Sequence, residues 1–148
     1  MGENRGKQFE EQVRKALEAV TDSVVLRLHD QTSGYLGSSN PCDFIFYRYP
    51  SFHMIECKSC YGNTLPFSNI TDKQLDTDQY DQINGCYCWL CVWFIDHDQT
   101  VLIPMRYIRR LKAAGQKSYN ITKDSYHLTV PGKKKRVLFD YDFEGVLD

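Results

Sequence analysis

The sequence predicts one α/β domain built on a mixed β-sheet flanked by helices. Three observations carry this. The chain has 148 residues, enough for one compact domain and too few for two. Its 42% hydrophobic and 25% charged content is that of an ordinary globule, which excludes disorder, collagen and coiled coil. Its periodic segments run helix, three strands, helix, two strands, helix, two strands. Residues 1–148 therefore read as a single domain.

Each element has its own signal. Residues 5–20 predict an amphipathic helix, because Phe9, Val13, Ala16, Leu17 and Val20 share one face and Glu11 with Lys15 makes an exposed i,i+4 pair. Residues 24–29, VVLRLH, predict a short strand, followed by a Gly/Ser-rich loop ending at Pro41. Asp43–Tyr47 and Phe52–Lys58 predict a hairpin turning at residues 48–51. A helix is predicted over Thr71–Asn84, with Thr71 as N-cap, Gln74 at the capping-box position and Gly85 as the stop. Cys86–Ile95 predicts a buried strand, residues 96–99 turn, and Thr100–Ile103 a second strand. Pro104 opens a basic helix, MRYIRRLKAAG, that Gly115 ends. A strand is expected near Tyr126–Val130, then a Pro131-Gly132 turn, the run Lys133 to Arg136, and a last strand from Val137.

Membrane and export signals are missing from the pattern. The longest apolar run, Cys86 to Ile95, is about half of the ~18–20 residues of a spanning helix. MGENRGKQFEEQ lacks a signal peptide's apolar core, and Gly6 stands where myristoylation needs Ser or Thr. A cytoplasmic protein that contacts no membrane is expected, with its six cysteines reduced. Cys57-x-x-Cys60 and Cys88-x-x-Cys91 have the gap of zinc knuckles, yet GCYCWLCVWFI is a strand in which small apolar thiols pack well. Neighbouring strand positions face opposite ways, so core packing is expected and zinc is not. Close to one zinc per purified chain would overturn that expectation.

The charge is blocked along the chain. Residues 101–138 carry ten Lys and Arg against the single acid Asp124, whereas residues 70–100 carry six Asp against Lys73. Such blocks fit either a polyanion-binding surface beside an acidic face or plain solvated surfaces.

Chemistry concentrates at Asp43, Glu56 and Lys58. Glu56 and Lys58 lie two apart on one predicted strand, hence on one face, and Asp43 heads the partner strand. Two carboxylates converging with an ammonium suit phosphodiester hydrolysis: oxygen ligands hold Mg²⁺, and the lysine positions water or stabilises charge. The bland alternative is a strand-surface ion pair, since Glu-x-Lys recurs by chance. Glu10 borders the apolar stripe of the first helix, as a third carboxylate or as an acid favoured early in a helix.

Four segments in order, NRGKQFEEQV at 4–13, CDF at 42–44, IECKS at 55–59 and LPFSNITDKQ at 65–74, resemble the RecU-type Holliday junction resolvases of the PD-(D/E)xK nuclease superfamily. The resemblance spans roughly residues 4–110. It implies a restriction-endonuclease-like core. It also implies Glu10 as the N-terminal helix carboxylate, Asp43 and Glu56 as metal ligands, Lys58 as the catalytic lysine and Gln74 as the glutamine completing the site. Gln74 could equally be only a helix cap. The resemblance further implies a homodimer that recognises four-way DNA junctions and nicks them symmetrically with Mg²⁺ or Mn²⁺, in recombination and repair. Pro41 stands where the family often has Thr, and the interval before Asp43 is short, as in a compact, phage-encoded member acting in the host cytoplasm.

For DNA contact the candidates are Arg5 and Lys7 on chain preceding the first helix, and Arg106, Arg109, Arg110 and Lys112 on the basic helix. Lys133, Lys134, Lys135 and Arg136 could form a hairpin-tip grip, and Tyr35 could stack on a base. Two rivals remain: another superfamily nuclease, restriction-type or a repair nickase, acting on duplex, and a catalytically silent nucleic-acid-binding module.

Overall fold

The structure is a computed structural model that describes residues 3–29 and 40–147. Its first helix, α1 (Glu3–Glu18), begins two residues earlier than the periodicity indicated. Phe9, Val13, Ala16 and Leu17 fall on its buried face. β1 (Val24–Arg27), β2 (Phe44–Arg48) and β3 (Ser51–Cys60) follow as an antiparallel meander. The loop expected before Pro41, and Tyr35 with it, lies outside the described residues except for Asn40 and Pro41.

β5 (Cys86–Phe94) runs parallel to β3, and β6 (Gln99–Pro104) and β8 (Leu128–Thr129) return antiparallel. The six-stranded sheet has the order β1-β2-β3-β5-β6-β8, so its one parallel pair lies at the centre. The connection from β3 to β5 holds β4 (Thr64–Pro66) and α2 (Asp72–Leu75). The second long helix, α3 (Met105–Ala113), ends before Gly115, whose φ of +93° suits a residue without Cβ.

The sheet is buried on both sides. On one, α1 packs Phe9, Val13 and Leu17 against Phe44, Ile55 and Trp93. On the other, Leu75 of α2 and Ile108 of α3 join Leu90, Val92, Phe94 and Ile103. The cysteines follow strand alternation: Cys57 and Cys91 belong to the α1 side, Cys42 and Cys88 to the α2 side, and all six are free thiols.

Three expectations need correction. The helix over 71–84 is α-helical only across Asp72–Leu75, then tightens into a 3₁₀ helix over Asp76–Gln82. Its side chains compete for the backbone. Thr77 Oγ1 donates to the Gln74 carbonyl at 2.8 Å, and Asp81 Oδ1 takes the Cys88 N–H at 2.9 Å. The turn expected at Pro131-Gly132 and the hairpin tip expected at Lys133–Arg136 are displaced: β9 (Gly132–Lys135) pairs with β10 (Leu138–Tyr141) in a separate hairpin, with Arg136 at its tip. β4 and β7 (Ser118–Asn120) form a further small ribbon that the sequence did not announce, each strand being three residues long. Three residues are too few to show a period. No helix among the described residues is long and apolar enough to cross a membrane.

Candidate active site

The strand register assembles the site. Phe44 pairs with Ile55, and Asp43 N donates to the Ile55 carbonyl at 3.0 Å, so Asp43 stands across from Glu56. Asp43 Oδ2 accepts the Cys57 N–H at 2.8 Å, which locks the carboxylate over β3. Its backbone carbonyl accepts from Leu28 N at 2.8 Å, tying β1 to the same point. Glu56 and Lys58 share the α2 face as alternation requires, with Lys58 Nζ 3.5 Å from Glu56 Oε2.

Gln74 caps its helix and also reaches the Glu56 carboxylate. Its Oε1 accepts the Thr71 N–H at 3.0 Å while Thr71 Oγ1 accepts the Gln74 N–H at 3.1 Å, a complete capping box. Its Nε2 meanwhile donates to Glu56 Oε2 at 3.0 Å. Lys58 and Gln74 therefore meet the same carboxylate oxygen.

Glu56 is only 6% exposed. Burial first, then the charge of Asp43, pushes its carboxyl up to about 8; Lys58 opposes the rise and Glu10 adds to it. Glu10 reaches the group from α1. Its Oε1 lies 3.3 Å from Arg27 Nη2, and the Arg27 guanidinium sits 5.9 Å over the Phe44 ring. Arg27 is the residue that sequence reasoning missed. In VVLRLH it reads as a solvent-facing strand residue, and its partners Glu10 and Glu11 lie a whole helix away in sequence. The expected Glu11–Lys15 pair is replaced by hydrogen bonds from Arg14 to Glu11, which hold that carboxyl below its ordinary value.

Arg5 and Lys7 lie within α1, not on chain before it, because the helix already runs from Glu3; Arg5 Nη1 donates to Gln8 Oε1 at 2.9 Å along its first turns. Arg109 is bound by Asp76 at 2.8 Å and by Asp78, and Arg106 lies 3.8 Å from Asp81. The acidic segment thus neutralises part of the basic helix, while Arg110 and Lys112 carry no such pairing among the bonds and bridges of the described residues. Lys134 pairs with Asp98 at 2.9 Å and Lys135 stands 3.9 Å from Asp140. Lys133 lies in the same exposed strand, and Arg136, at φ +56°, occupies the hairpin tip.

The donor chemistry fits a hard divalent cation: two carboxylates face one another, and burial together with the Asp43 charge raises the Glu56 carboxyl, a strain that a bound cation would relieve. Among the described residues no three His, Cys, Asp or Glu side chains cluster closely enough to cage a metal by themselves. An ion held by Asp43 and Glu56 would keep water or phosphate oxygens as its other ligands, as Mg²⁺ commonly does.

No protein-family model matches the chain, and no curated protein matches it in sequence. Among solved structures, it is similar to Hjc from Archaeoglobus fulgidus, a Holliday junction resolvase from an archaeal hyperthermophile, with a TM-score of 0.59. The match covers 84% of this chain and 95% of that one at 14% identity. The mixed sheet flanked by helices described above is therefore the restriction-endonuclease-like fold that Hjc also has.

Proposed function

We propose that this protein is a divalent-metal-dependent DNA endonuclease of the PD-(D/E)xK superfamily that resolves four-way junctions by paired nicks as a homodimer. The observation that carries the reading is the convergence of Asp43, Glu56 and Lys58 on one sheet face, with Gln74 bonded to the buried carboxylate. A fold shared with an archaeal junction resolvase supports it. The finer likeness to the RecU type rests on the four sequence segments alone.

In this reading Asp43 and Glu56 would hold the ion, and Mg²⁺ or Mn²⁺ there would supply an activated water and charge neutralisation on the phosphate oxygens. Asp43 is oriented by the Cys57 N–H before any substrate arrives. Gln74 holds Glu56 Oε2, which fixes the rotamer of the buried ligand. The Lys58 ammonium stands beside the same oxygen, where it can orient the attacking water and stabilise charge on the pentacovalent phosphorus. Water oxygen forms the new bond to phosphorus, the bond to the departing sugar oxygen breaks, and the proton that the attacking water gives up passes through solvent to that oxygen. Glu10, fixed by Arg27, completes the acidic wall.

The deciding experiment compares a labelled four-way junction with a linear duplex of the same sequence, with and without Mg²⁺. Paired symmetric nicks in the junction alone, abolished by Asp43→Asn, are expected. Equal cutting of the duplex would instead identify a restriction-type or nicking enzyme. Binding without any metal-dependent cutting would identify a silent binding module.

A further inference from the structure

On the side of the sheet away from the carboxylates, the start of β5 carries an aromatic array. His53 stacks on Tyr87 at 5.2 Å, and both rings lie 6.4 Å from the Trp89 indole. Trp89 Nε1 donates to His53 Nδ1 at 3.0 Å, which fixes the indole in its plane. Beside it opens a cavity of ≈ 260 Å³ lined by Trp89, Pro104, Arg106, Tyr126, His127 and Leu128. The other rings are braced from behind. Tyr126 packs on Tyr107 at 4.7 Å, and Tyr119 Oη lies 2.6 Å from His127 Nδ1. Arg106 Nη2 donates to the Tyr126 hydroxyl at 3.3 Å and its side chain is 51% exposed.

We propose that this cavity is a stacking pocket for an unpaired nucleobase, with Arg106 meeting the phosphate attached to it. Three features point to that ligand. Braced aromatic faces stack on any base without reading sequence. The Arg106 guanidinium beside them, 51% exposed and no nearer to Asp81 than 3.8 Å, suits the phosphate that accompanies every nucleotide, whereas an apolar peptide would make no use of it. The volume lies below the ~300–1,000 Å³ of pockets for drug-sized ligands and suits one nucleotide unit. Strands that branch or open present such a base, so DNA as its source rests on the nuclease reading. The pocket's chemistry does not.

The test uses the full chain in EDTA, so that nothing is cut. The protein has two tryptophans, and Trp93 is 1% exposed, so acrylamide quenching of the emission reports Trp89. The probes are dAMP, a single-stranded oligodeoxynucleotide and a blunt duplex of the same length. The single strand is expected to shield Trp89, lowering the quenching constant at least about threefold, and the duplex is not. Tyr126→Ala and Arg106→Ala, both at exposed side chains, are expected to raise the strand concentration for half-shielding at least about fivefold.

Shielding by dAMP as well would mark a pocket that accepts free nucleotides, and shielding by the strand alone would mark DNA as its source; both support the pocket. Failure of both probes overturns it. So does equal shielding by duplex, or shielding unchanged in both variants with unchanged melting temperatures. Failure of the nuclease reading shows separately, as no Mg²⁺-dependent cleavage, in an assay that does not involve Trp89.

Discussion

Gln74 Oε1 stitches the start of α2 while Nε2 holds Glu56, so one amide joins a helix terminus to a buried carboxylate. The two roles separate by mutation. Thr71→Ala removes only the cap and should cost about 1 kcal/mol in chemical denaturation with cleavage per folded molecule intact. Gln74→Ala should lower cleavage more than about tenfold, because Glu56 loses its orienting donor. Arg27→Ala should lower cleavage by about tenfold through Glu10, with Arg27→Lys recovering only part, since an ammonium cannot span Glu10 and Glu11 as the guanidinium does. Glu56 also makes ion binding pH-dependent. Its raised carboxyl holds a proton below about 8 in the metal-free protein, so loading Mn²⁺ near neutrality should release one proton, seen calorimetrically in two buffers of different ionisation enthalpy. The sign for stability is fixed by the same shift: a carboxyl raised on folding stabilises below its ordinary range, and that contribution is lost as pH rises through about 8. Metal-free protein should therefore melt lower as pH climbs from about 5 to about 8, and Glu56→Gln should flatten the slope. Asp43, Glu56 and Lys58 were legible because strand alternation alone puts the last two on one face. Arg27 was not, because its partners come from a different layer of the fold.

Among the elements, periodicity found what was long and amphipathic. α1, β3, β5 and α3 all stand within a few residues of their expected bounds. It misjudged segment 76–82, where composition has the turn and cap residues Asp and Thr instead of helix formers, and the backbone tightens to 3₁₀. α1 has the clearest mechanical role, since its apolar stripe fixes where Glu10 arrives. Phe9 is 1% exposed and packs on Trp93 and Tyr141 with ring centroids 5.8 and 5.9 Å away. Phe9→Ala should cost about 3–5 kcal/mol in chemical denaturation, and cleavage by the remaining folded fraction should also fall, because the helix that carries Glu10 loses its anchor.

At the scale of the whole molecule, one chain brings together one set of Asp43, Glu56 and Lys58, whereas two opposed nicks need two. Mixed dimers of native and Asp43→Asn chains should then nick one strand and resolve poorly in Mg²⁺. Resolution at the native rate by the Asp43→Asn homodimer would refute the site. Resolution by a monomer, read from sedimentation under assay conditions, would refute the assembly. Asp43→Asn should bind junctions as well as the native chain or slightly better, since it removes a negative charge facing phosphate. Residues 10 to 74 supply every group proposed for catalysis, yet β3 is flanked by β2 on one side and by the later strand β5 on the other. A chain emerging from the ribosome therefore holds the whole catalytic alphabet well before Cys86–Phe94 arrives to bury Glu56 among Leu90 and its neighbours. If the protein cuts DNA as proposed, a chain broken off before β5 lacks the strand that pairs with Glu56 and should show no cleavage.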